Sequence, residues 1–224
     1  MHRLRTSQKL NARGFTLIEL MIATAVFGAI LLVVATAILQ ISRLYYKGLT
    51  EAKVQQTARS VADLISQSIQ FNGGNVTTTP ASPTPGNSYA FCVGNTQYSY
   101  TTGYQLNDSP GATQTYHALV ANDVSGCSSS TPAQNVRNSG ILGRELLAPG
   151  MRLAHLQVTS PSTGFYVVSI RIVFGDDDLV YSPSSPANPS GYQASDAACR
   201  TNIVAGTQFC ADSDVVTTVV KRVE

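Results

Sequence analysis

Residues 15–39, FTLIELMIATAVFGAILLVVATAIL, are apolar except for Glu19 and a few hydroxyls. As a helix, this run of about 25 residues is about 37 Å long, enough to cross a bilayer with some tilt. Arg3, Arg5, Lys9 and Arg13 precede it with no acidic residue among them. Such a basic flank stays on the cytoplasmic side, so the remainder is expected outside. A secretory signal would end its apolar region in small residues at a cleavage site. Leu39 is instead followed by QISRLYYKGLTEAKVQQTARSVADLISQSIQF.

That continuation keeps helical spacing. Val54, Ala58, Val61, Ile65 and Ile69 recur at steps of three or four, with Leu64 widening the stripe. Glu51, Lys53, Gln56, Arg59 and Gln67 form the polar face. No proline occurs between Phe15 and Phe71, so one long helix is expected: apolar all round over residues 15–39, amphipathic over 40–71. Gly48 is its weak point, and Asn72-Gly73-Gly74 should stop it.

Glu19 is the anomaly. An ionised carboxylate is costly at bilayer depth and normally has a partner. Cleavage after Gly14 would create one, a free ammonium on Phe15. In a lone subunit Glu19 would lie near the interface and favour the helix N-terminus. In an assembly it could neutralise the Phe15 amine of a neighbour.

The stretch Gly14-Phe15-Thr16-Leu17-Ile18-Glu19-Leu20, with Arg13 before it and Gly28 within the run, resembles the prepilin cleavage and methylation motif of the type IV pilin superfamily. The long helix extends the likeness to about residue 71. The resemblance implies that residues 1–14 are a leader. A prepilin peptidase would remove it between Gly14 and Phe15 and methylate the Phe15 amine. Glu19 and Thr16 would serve assembly. It also implies partners: other pilin subunits, the peptidase, an inner-membrane assembly platform, and the membrane before assembly. Many major pilins carry proline at the position of Thr36; this chain does not.

Residues 72–224 read as an extracytoplasmic β-rich domain. Strands are expected at 89–93, 97–102, 115–121, 152–159, 165–174 and 215–221, with a helical turn at 141–148 and loops at 72–88, 122–140 and 182–214. Ala154, Leu156 and Val158 should share one face of their strand. Tyr166, Val168, Ile170, Ile172 and Phe174 should share a face of the next, with Ser169 and Arg171 opposite. The fold class is α+β: a long N-terminal helix, membrane-inserted in its first half, packed on an antiparallel sheet in the pilin manner. The arrangement resembles minor pilins and the larger pseudopilins.

Cys92, Cys127, Cys199 and Cys210 include no CxxC pair. Four cysteines in a membrane-targeted chain read as two disulfides in an oxidising compartment. Of three pairings, Cys92–Cys127 with Cys199–Cys210 is favoured because it closes local loops.

The net charge of +2 is carried by the N-terminus. Beyond residue 14 there remain 11 of the 15 basic residues against all 13 acidic ones. That balance gives no support for nucleic-acid binding. Asp176, Asp177 and Asp178 are calcium candidates on a turn, although a solvated turn is the preferred reading. His117 and His155 fall on expected strands with no cysteine or carboxylate next to them. No nucleophile elbow, H-E-x-x-H or P-loop spacing occurs. No catalysis, cofactor or metal site is therefore expected. Tyr98, Tyr100 and Tyr104 are read either as an exposed contact surface for glycans or a host protein, or as strand residues.

The expected function is a structural subunit, a minor pilin of a type IV pilus serving assembly, adhesion or twitching. Its path runs from a single-pass cytoplasmic-membrane precursor to an extracellular filament. One alternative is a pseudopilin of a secretion or DNA-uptake apparatus, in a periplasmic pseudopilus. Another is an anchored binding protein that never polymerises.

Overall fold

The computed structural model describes residues 14–80, 83, 87–106, 117–127, 143–181, 198–200 and 206–222. Two compact units divide the chain, Met1–Arg43 and Leu44–Glu224. One helix, α1 (Leu17–Phe71), supplies residues to both. It is rich in Ala, Leu and Ile, and it lacks proline. The hydroxyls of Thr24, Thr36, Ser42, Thr50 and Thr57 bond back to carbonyls three or four residues earlier. Polar groups on the apolar run are thus satisfied within the helix. At Thr36, the hydroxyl donates to the Val33 carbonyl at 2.8 Å. The helix ends before Asn72-Gly73-Gly74, and Gly74 takes a φ of 116°.

In the first unit, every described residue of α1 is exposed except Ser42, which is half-buried. The helix is long and apolar enough to cross a membrane.

Among the described residues, the second unit contains seven strands. They are β1 (Ser88–Val93), β2 (Thr96–Thr101), β3 (Leu119–Asp123), β4 (Arg144–Glu145), β5 (Met151–Ser162), β6 (Phe165–Phe174) and β7 (Ala211–Val220). The single expected sheet is instead two antiparallel ones, β1-β2-β3-β4 and β5-β6-β7. Segments read as loop stitch them together. Thr77 N donates to Cys92 O and its hydroxyl accepts from Cys92 N. Thr79 makes the same reciprocal pair with Val158. Gly103 N and Leu106 N donate to Leu153 and Met151 carbonyls of β5. These bonds fill the edge of β5 that β6 leaves open.

Val54, Ala58, Val61, Ala62, Ile65 and Ile69 of α1 are buried in one core with Phe91 and Tyr98 of the first sheet. Leu153, Leu156, Ile170 and Ile172 of the second sheet share that core, and Leu64 packs at its side. β6 has the expected limits and the expected faces. β5 departs from simple alternation. A bulge between Leu153 and His155 turns Ala154 away from Leu156 and Val158. Ala154 joins a second cluster with Val173, Leu179, Val180 and Cys210.

Three further expectations are corrected. β3 starts at Leu119 and does not include residues 117 and 118; the N–H of Ala118 is taken by the Glu145 carboxylate, and residues 115 and 116 lie outside the described set. No helical turn forms over the described residues 143–148. There Gly143 adopts φ 149°, and Arg144 and Glu145 pair with β3. A Cβ at Gly143 would lie 2.5 Å from Val120 Cγ1, so glycine lets the strands meet. β7 begins four residues early, at Ala211, because it follows β6 back to Phe174.

Disulfides join Cys92 to Cys127 and Cys199 to Cys210.

Candidate functional site

The candidate site is the start of α1. Thr16 precedes the helix, and its hydroxyl accepts from Glu19 N at 3.3 Å. In return, Glu19 Oε2 accepts from Thr16 N and from the Thr16 hydroxyl, both at 2.9 Å. This is a capping box in which each residue satisfies an orphan polar group of the other. The T-x-x-E spacing was available in the sequence as its signal. Glu19 therefore has an intramolecular role besides any partner. Both bonds end on Oε2, and no described residue donates to Oε1. The carboxylate is held in place with one oxygen left for an incoming cation.

Phe15 and Gly14 lead into the box, and both are exposed. A Cβ built on Gly14 would meet nothing within 4 Å. Among the described residues, nothing requires glycine there. The same holds for Gly28, also open within 4 Å, where a mid-helix glycine costs about 1 kcal/mol relative to alanine. Of the expected leader, residues 1–13 lie outside the described set.

The other candidate residues serve the fold. Asp176, Asp177 and Asp178 follow β6, but Asp177 Oδ1 accepts from Arg152 Nη1 at 2.9 Å. Arg152 Nη2 donates to the Gly175 carbonyl at 2.7 Å, and Arg200 donates to the Asp178 carbonyl. Two arginines thus bond this turn, Arg152 through the Asp177 carboxylate and both through backbone carbonyls. Among the described residues, no three metal-ligating side chains come together.

No carboxylate adjoins His117 in the sequence, but the fold brings one to it: its Nδ1 lies 3.2 Å from Glu145 Oε2. Glu145 also accepts from the N–H groups of Ala118, Leu119 and Leu147. The pair closes a chain junction, and the 28-residue separation hid it. On β5, burial pushes the His155 imidazole below its usual value, Asp214 pulls it up, and Arg171 pushes it down.

Tyr98 and Tyr100 are not a contact surface. Both are fully buried, and Tyr98 stacks on Phe91 with ring centroids 4.9 Å apart. The Tyr98 hydroxyl bonds the Ser68 hydroxyl of α1 at 2.7 Å. Burial raises both phenols above their ordinary value. Tyr104 is half-buried.

A family model described as the prokaryotic N-terminal methylation motif matches residues 9–38. That motif is the prepilin signature of type IV pilins and pseudopilins. No curated protein and no solved structure matches the chain.

Proposed function

We propose that this chain is a structural subunit of a type IV pilus, a minor pilin, made as a membrane-inserted precursor. One observation carries the reading. A capped, ready carboxylate at Glu19 stands at the start of a bare apolar helix, within residues matched by the methylation motif.

The steps follow from the residues. A prepilin peptidase hydrolyses the Gly14–Phe15 amide, releasing the leader carboxylate and the Phe15 amine. Methylation of that amine keeps its positive charge. Glu19 Oε1 of one subunit then accepts the Phe15 ammonium of a neighbour, while Oε2 stays with Thr16. Each pairing compensates two opposite charges within apolar surroundings and fixes axial register between otherwise featureless helices. The apolar residues of α1 exchange lipid for one another, and the β-rich unit supplies outer contacts.

The test is the fate of Glu19→Ala. The variant should lose its leader normally yet be missing from filaments sheared off the cell. Normal incorporation of the variant would contradict the pairing.

A further inference from the structure

The apolar run is followed at once by Arg43, Leu44, Tyr45, Tyr46 and Lys47. Tyr45 and Tyr46 meet edge to face, with centroids 6.1 Å apart. A third ring joins them from far along the chain: Phe209 lies 6.0 Å from Tyr46. Phe209 ends a 3₁₀ turn, Thr207–Phe209, that contains no buried residue. The turn is nevertheless rigidly built. Phe209 N donates to Gly206 O, Cys210 N donates to Thr207 O, and Cys210 is tied to Cys199. Gly206 takes φ 91°, and a Cβ there would lie 2.9 Å from Leu179 Cδ2. A stiff turn thus holds a phenyl ring at 46% exposure, beside tyrosines that are 64% and 52% exposed. None of the three rings belongs to the core.

We infer that Tyr45, Tyr46 and Phe209 form an interfacial anchor that docks the β-rich unit on the headgroup–acyl boundary of a phospholipid bilayer. With the Thr16–Glu19 box at the inner boundary, 20 residues at 1.5 Å each cover the hydrocarbon thickness of about 30 Å and end near Leu39. Tyr45 and Tyr46 follow six and seven residues later in the sequence. Side chains on a helix lean toward its N-terminus, here toward the bilayer. Aromatic rings with adjacent basic residues are the side chains that favour this layer. Lys47, although 3.7 Å from Glu51, is exposed and within reach of lipid phosphate. The inference needs a membrane-spanning run but not the filament reading.

The chain contains no tryptophan, so single Trp reporters are unambiguous. Phe209→Trp, Phe165→Trp and Phe27→Trp would each be placed in the full chain and reconstituted in phosphatidylcholine–phosphatidylglycerol vesicles. Phe165 has the same 46% exposure as Phe209. It follows Gly164, whose carbonyl accepts from Lys221 N; Arg222 N bonds Gln70 O, about 36 Å along α1 from Tyr46. The expected result is a blue shift and loss of Phe209→Trp emission with lipids brominated near the headgroup end of the acyl chain. Phe165→Trp should stay unquenched, and Phe27→Trp should respond to bromines near the chain end. If Phe209→Trp behaves like Phe165→Trp while Phe27→Trp is quenched, docking is refuted and the span stands. If Phe27→Trp is unquenched, both are refuted. A Phe209→Trp shift that vanishes when protein is diluted in lipid would assign the patch to a second copy and overturn the inference.

Discussion

The guanidinium of Arg152 has no exposed surface, whereas the Asp177 carboxylate that it contacts at 2.9 Å is about half in solvent. The strand end is thus organised from within, by a buried cation bridging Asp177 and the Gly175 carbonyl. Arg152→Met unpairs that buried carbonyl and should cost about 2–3 kcal/mol. Asp177→Asn should cost only about 1 kcal/mol, because solvent already screens that side. Urea unfolding of the full chain in micelles measures both. Calcium or a chelator should leave the unmodified midpoint unchanged, since the guanidinium occupies the turn.

The two disulfides should differ in worth. Cys92–Cys127 spans 35 residues and Cys199–Cys210 spans 11. Chain-entropy reasoning assigns them about 4 and about 3 kcal/mol respectively. Paired Cys→Ser variants, compared by denaturant midpoint, should show the Cys92–Cys127 variant as the less stable by about 1 kcal/mol.

His155 should make the domain acid-sensitive. Its folded pKa is lowered, chiefly by burial. Above about pH 6.5 the imidazole is neutral in both states and contributes no pH dependence. As pH falls below that, the unfolded chain binds a proton before the folded one does. Stability should therefore fall until the depressed folded value is reached, then level off. His155→Gln should remove this share of the slope, as read from unfolding midpoints across pH.

Gly94 sits in the β1–β2 turn at φ 59°, and a Cβ there would lie 2.7 Å from the Gly73 carbonyl. The turn and the end of α1 meet through this backbone approach and through the Asn72 side chain, whose Nδ2 donates to Val93 O and Thr96 Oγ1. Gly94→Ala should cost about 1–3 kcal/mol through the strained φ and the displaced carbonyl. Gly126→Ala, also at positive φ but open within 4 Å, is the control that isolates the contact.

What the sequence disclosed depended on the range of the interactions. α1 was legible because its stripe, its lack of proline and its Gly-Gly stop are local, and β6 because its alternation has no bulge. Ala154 was misplaced because one extra residue reverses every later side chain, and no propensity marks it. Tyr98 and Tyr100 looked like surface because Thr, Ser and Asn surround them, yet only the partners Phe91 and Ser68 reveal their burial. Glu145 and His117 meet across residues that carry no joint pattern. At the candidate site, Glu19 was conspicuous as a charge in an apolar run. Its bond to Thr16 is equally local, and the T-x-x-E spacing is its signal.

The central claim is that Phe15 becomes a methylated N-terminus beside the prepared Glu19. The most direct measurement is the N-terminal mass of the chain recovered from cells with an active prepilin peptidase. The account predicts a chain beginning at Phe15 and carrying one methyl group on its amine. A chain that still begins at Met1, or that starts at Phe15 unmethylated, would contradict it.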